Sequence, residues 1–141
     1  MVLATASVTV GGETLTKDGR WLKLGDQYTY FMGVDMQSLA ARTDLDDGFG
    51  PFDGTGDYYA WALDQLAQQG IGKIRLWANC YWMTPDTCMQ PFAYSNGKFN
   101  LDAWNAAYWT RMRSFVSLAA SKGMIVEFCI FSTYGKASTW T

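Results

Sequence analysis

The sequence has no histidine among its 141 residues. That removes the commonest protein metal ligand and the base of the Ser-His and Cys-His nucleophile systems. Cysteine is scarce as well. Cys80, Cys88 and Cys129 are the only three, too few for a Cys-only metal site. Basic clusters are missing: 11 Lys and Arg stand against 13 Asp and Glu, a formal net charge of −2. No nucleic-acid partner is expected from that balance. No apolar run approaches the roughly 20 residues of a membrane span, so no membrane partner is expected either. The segment VDMQSLAARTD, after the first strand of parallel type, lacks the glycine-rich phosphate turn of a nucleotide-binding fold. Nothing calls for a metal or another cofactor. The start, MVLATASVTV, is too short and lacks the basic region of a signal peptide. It reads as the trimmed remains of one, with Met1 added, and a secreted protein is expected. In that setting Cys80 and Cys88, which flank YWMTPDT, can close a disulfide. Cys129 reads as an inert apolar filler.

What the chain does have is aromatic side chains: seven Trp, eight Tyr and eight Phe, 16% of all residues. Such side chains fill a core or line a surface that binds flat apolar faces. Residues 7–31 alternate polar and apolar around two turn signals, Gly11-Gly12 and Lys17-Asp18-Gly19, and read as short antiparallel strands. They run into a first parallel strand over residues 29–34. Helix one begins after Asp57, a good N-cap, and ends at Gly70. Strand two is KIRLWAN, residues 73–79. Helix two begins at Asp102, with Trp104, Tyr108, Met112, Phe115, Val116 and Ala119 at helical spacing. Gly123 closes it. Strand three, MIVEFCIF over residues 124–131, is apolar almost throughout, as in a parallel sheet covered on both faces.

Loop lengths carry the next inference. Helix-to-strand connections are minimal. The two strand-to-helix connections, residues 36–56 and 80–100, are on the order of 20 residues each, well above the usual 2–6. In a parallel α/β fold such loops emerge at the carboxyl ends of the strands, where sites are placed. These hold Phe49, Phe52, Tyr81, Trp82, Phe92 and Tyr94 and are expected to be ordered and functional. The fold class is therefore α/β: a partial TIM barrel in which an N-terminal β-hairpin (residues 1–28) precedes about three parallel β/α units (residues 29–141). The sequence stops just past the third strand.

Three segments carry a resemblance: GETLTKDGRWLKLGDQYTYFMGVD, LDQLAQQGIGKIRLW and GKFNLDAWNAAYWTRMRSFVSLAASKGMIVEFCIF. Together they resemble the first three β/α units of the (β/α)8-barrel glycoside hydrolases of the cellulase and mannanase clan. The resemblance implies retaining hydrolysis of β-linked polysaccharide by two carboxylates. It also implies that the acid/base, after strand four, and the nucleophile, on strand seven, lie outside this chain. No catalytic residue is therefore assigned. Where the family has a His after strand three, this chain reads Ser132-Thr133-Tyr134.

The resemblance makes Arg75 the strand-two arginine that points into the barrel and orients the nucleophile; the alternative is a structural ion pair. Glu127 lies at matching depth in strand three, and a buried Arg75–Glu127 pair would satisfy both charges. A role for Glu127 as a catalytic acid is the lesser reading. Trp77, Asn79, Tyr81 and Trp82, at or past the end of strand two, are candidates for stacking on and bonding to sugar rings, against plain loop packing. Tyr134 and Trp140 carry the same reading after strand three. Asp35 is placed at the floor of a cleft or as a turn carboxylate. Asp44, Asp46, Asp47 and Asp53 read as a solvated acidic loop rather than a Ca²⁺ site. Three functions follow: a truncated glycoside hydrolase with part of its sugar cleft, a non-catalytic carbohydrate-binding or scaffolding module, and a small hydrolase completed by oligomerisation. The expected partners are a polysaccharide or oligosaccharide, and further copies of the chain packing through strand three and the tail 132–141.

Overall fold

The computed structural model of the chain describes residues 8–10, 12–78 and 87–129. Four short strands, β1 (Val8–Val10), β2 (Glu13–Asp18), β3 (Trp21–Leu24) and β4 (Gln27–Thr29), form an antiparallel sheet in chain order. Then follow β5 (Gly33–Asp35), α1 (Tyr58–Gln68), β6 (Lys73–Trp77), a hairpin of β7 (Phe92–Ser95) and β8 (Lys98–Trp104), α2 (Ala106–Ser121) and β9 (Ile125–Cys129). Strands β5, β6 and β9 form a parallel sheet in that order. This is an α/β arrangement, as read from the sequence. The first parallel strand is shorter and later than expected, because residues 27–29 close the antiparallel sheet instead.

Both helices cover one face of the parallel sheet. Ile74 and Leu76 on β6 point into it, with Val34, Val126 and Phe128 at its margin. From the helices come Tyr59, Ala62 and Leu63, then Tyr108, Met112, Phe115 and Ala119. The spacing 108, 112, 115, 119 is the apolar stripe read from the sequence, and burying it drives the helix onto the sheet. Each helix ends on a glycine in the left-handed region, Gly70 at φ 74° and Gly123 at φ 72°, where a side chain would be strained.

Two expectations are corrected. Helix two does not begin at Asp102. Asn96 and Gly97 adopt φ 50° and 78°, the double positive φ of a tight hairpin turn. That turn folds residues 98–104 back on 92–95 as β8. The helix starts after Asn105, whose side chain accepts from the Tyr108 N–H at 3.3 Å. Trp104 thus lies on a strand, and Val116 is exposed. Strand β9 is not sealed on both faces either: every one of its residues is only partly buried. Among the described residues, no helix is long and apolar enough to cross a membrane.

Candidate functional site

Side chains alternate along a strand, so burying Ile74 and Leu76 under the helices turns Lys73, Arg75 and Trp77 the other way. The neighbouring strands are in register: Asp35 pairs with Arg75, and Arg75 with Glu127. Three charged residues therefore form one row across the face turned away from the helices. Glu127 forms ion pairs with Lys73 and with Arg75, the latter at 3.4 Å from Nε. The Arg75 Nε–H also donates to Cys129 Sγ at 3.1 Å. The hydrogen bond from Lys73 holds the Glu127 carboxyl below the usual glutamate range, with the nearby charges of Lys73 and Arg75 adding to it. The bond to Cys129, and the negative charges of Glu127 and Asp35, raise the Arg75 guanidinium still further.

The Arg75–Glu127 contact is present, but it is not buried. Their side chains are 48% and 41% exposed, because among the described residues no layer lies over this face. Cys129 is likewise not sealed in the sheet: its thiol is free, partly exposed and accepts from the guanidinium. Asp35 is exposed at the end of β5. Trp77 is half-buried at the end of β6, with its backbone N–H donating to Gln37 O at 2.7 Å. Asn79, Tyr81, Trp82, Tyr134 and Trp140 lie outside the described residues.

The loops that follow β5 and β6 are tied down on the helix side. The backbones of residues 41–43 and 87–89 run together: Met89 N–H donates to Ala41 O at 2.9 Å and Thr43 N–H to Thr87 O at 3.2 Å. Cys88 sits in this ladder, fully buried and disulfide-bonded. Cys80, its expected partner, is outside the described residues. Arg111 on α2 then reaches across. Its guanidinium donates to Ala40 O (2.8 Å), Arg42 O (3.1 Å), Asp46 (3.0 Å) and Asp57 (2.6 Å) and lies over the Tyr59 ring. Asp57 stands at the N-cap of α1, but its carboxylate is turned to Arg111. Asp46 bonds the first helical N–H, that of Tyr58, at 2.8 Å instead. In the acidic loop Asp44 pairs with Arg42 and Asp53 accepts from Thr55 N–H, bonds that lower both carboxyls. The buried Tyr108 hydroxyl donates to Ala78 O at 2.5 Å, just past the end of β6. Burial pushes that hydroxyl well above the ordinary phenol range.

The sequence reading missed Arg111 and Tyr108 as positioning groups. One signal was available. Arg111 falls between Tyr108 and Phe115 at helical spacing, a charge on the apolar stripe, and such a charge needs partners.

No protein-family model matches the sequence, and no curated protein sequence matches it. Among solved structures, a glycoside hydrolase is similar over 81% of this chain and 24% of its own, with TM-score 0.50 and 18% identity. The β-mannanase of the blue mussel Mytilus edulis is similar over 81% of this chain and 30% of its own, with TM-score 0.52 and 16% identity. A family 5 glycoside hydrolase from Bacteroides vulgatus gives TM-score 0.46 at 17% identity, over 83% and 24%. The chain thus spans 24–30% of the length of these proteins. The resemblance to glycoside hydrolases is borne out at the level of fold.

Proposed function

We propose that the chain is the first three β/α units of a (β/α)8-barrel glycoside hydrolase acting on β-linked polysaccharide. One observation carries this reading: Asp35, Arg75 and Glu127 are in register on the face of a parallel sheet turned away from both helices. In a barrel that face is the inner wall. The fold shared with two glycoside hydrolases supports it.

On this reading Arg75 orients a carboxylate supplied by a later strand, and Asp35 and Trp77 line the near side of the sugar cleft. Asn79, Tyr81, Trp82 and Tyr134 extend it. Retaining hydrolysis needs two carboxyls about 5–5.5 Å apart, one protonated and one free to attack. Glu127 suits neither role. Lys73 keeps it ionised, so it is a poor acid, and its two cationic partners compete with any attack on a sugar. The reacting pair is therefore assigned to strands beyond the third unit. The disulfide of Cys88 favours an oxidising, extracellular setting for this reading. Among the described residues this face has no cover and β5 and β9 are edge strands, which favours coverage by more chain or by further copies.

The test is turnover. The 141-residue chain should show no hydrolysis of aryl glycosides, soluble glucans or mannans. A longer product of the same gene, carrying an Asn-Glu pair after a fourth strand, should hydrolyse β-glycan and lose most of its kcat on Arg75→Ala. Turnover by the 141-residue chain that vanishes on Glu127→Gln would replace this reading with a small hydrolase completed by oligomerisation.

A further inference from the structure

The β7–β8 hairpin carries a second aromatic surface, apart from the charged row. Phe92 and Tyr94 are two residues apart on β7 and so share a face. Across from them stand Trp104 and Phe99. The ring centroids are 5.3 Å apart for Phe92–Trp104 and 4.8 Å for Tyr94–Phe99. Trp109 on α2 continues the strip, 5.1 Å from Trp104.

The register shows how the strip is made. Ala93 pairs with Asn100, but Phe92 pairs with Trp104. A regular ladder would set Leu101 against Phe92. The bulge of residues 101–103 brings in Trp104 instead, and bulges commonly re-aim a side chain in this way. The base of the hairpin is fixed to α2: Trp109 Nε1–H donates to Pro91 O at 3.0 Å and Asn105 Nδ2 to Gln90 O at 2.9 Å. Yet Trp104 is 65% exposed and Tyr94 45%. Cross-strand aromatic pairs alone would steady a hairpin. They do not require a bulge that holds an indole out in water.

We propose that this strip is a stacking platform for a neutral β-linked glycan, a sugar contact separate from Asp35 and Arg75. The choice of ligand rests on the glycoside-hydrolase reading above. Two features of the strip favour that ligand over others. Its charges are Lys98 and Asp102, which cancel, so an anionic lipid surface gains nothing from it. Its paired rings span on the order of 10 Å along the strands and across them, a patch of on the order of 100 Å², far short of the ~800 Å² per side of a stable protein interface. Because the hairpin lies in the β6-to-α2 connection, it leaves the sheet at the same strand end as Trp77.

The test is affinity electrophoresis of the 141-residue chain in gels containing soluble galactomannan or hydroxyethylcellulose. The chain should be retarded in at least one of them. Trp104→Ala should weaken that retardation roughly fivefold or more, and Trp104→Phe should keep most of it. Trp21→Ala, which removes an equally exposed indole from β3, should change nothing. If Trp104→Ala loses its circular dichroism spectrum, Tyr94→Ala takes its place. No retardation in any glycan gel, equal retardation of the Trp104 and Tyr94 variants, or binding to phospholipid vesicles instead would overturn the platform. The two readings fail separately. A hydrolytically active longer gene product whose glycan retardation ignores Trp104 sinks the platform alone. Trp104-dependent retardation in a longer product without hydrolysis sinks the hydrolase reading alone.

Discussion

The two faces of the parallel sheet share one backbone and differ in almost everything else. Toward the helices β6 presents Ile74 and Leu76, 0% and 1% exposed. Toward the other side it presents Lys73 and Arg75, 39% and 48% exposed. The first face is closed by the chain's own helices and gains from the removal of apolar area from water. The second is satisfied sideways, by charges on adjacent strands that bond one another and need no cover. Stability is therefore concentrated on one face, while the other stays exposed among the described residues. Substitutions at matching depth on the two faces should separate by several-fold in cost. On the helix face, Phe115→Ala should cost about 3–5 kcal/mol, since a fully buried ring leaves a cavity behind. Urea denaturation followed by circular dichroism measures it. A loss near 1 kcal/mol would mean that this core is far looser than its burial suggests.

Arg111 sharpens the comparison, because it is a charge on the buried side. Its side chain is 13% exposed and serves two carboxylates and two carbonyls. Arg111→Met keeps much of the stem but removes the donors to Ala40 O, Arg42 O and the part-buried Asp46, while the half-exposed Asp57 turns to water, and it should cost about 2–3 kcal/mol. The loop of residues 36–57 should then be cut faster in limited proteolysis. Next in size comes Tyr108→Phe. It removes the only side-chain donor seen on Ala78 O among the described residues, and it should cost about 1–2 kcal/mol in the same denaturation assay. An unchanged midpoint would show that water replaces the hydroxyl and that the end of β6 is wetter than it looks.

Much of the fold was legible because it follows local rules. The stripe of Tyr108, Met112, Phe115 and Ala119, the closing Gly70 and Gly123, and the order of β and α segments all read directly. The register of Arg75 with Glu127 was legible from their depth in two strands. The hairpin was not read, although Tyr94-Ser95-Asn96-Gly97-Lys98-Phe99 holds an Asn-Gly turn signal. Trp104 stands at helical spacing with Tyr108, and on that spacing helix two was extended four residues too far. The exposure of the charged row was not legible either. A charge between apolar neighbours suggests burial, but which face a sheet leaves uncovered depends on elements distant in sequence. The reach of Arg111 to residues 40–57 is a tertiary contact that no local spacing announces.

The smallest effect is expected on the open face. Glu127→Gln removes ion pairs to Lys73 and Arg75, but all three side chains are roughly 40–50% exposed. Water solvates the cations left behind, so the cost should stay below about 1 kcal/mol. The pH dependence fixes its sign. Hydrogen bonding from Lys73 lowers the folded carboxyl pKa below its ordinary value of 4.5. Its contribution is therefore present above about pH 4.5 and is lost as pH falls through the lowered folded pKa. Thermal melts of the chain and of Glu127→Gln should differ slightly at pH 7 and converge as the pH falls through the lowered folded pKa. A loss of 3 kcal/mol or more at pH 7 would break the comparison between the faces. It would mean that the row is covered in solution, most simply by another copy packed across β9. In that case sedimentation would give a mass above 15.8 kDa, and the difference between the variants would shrink on dilution.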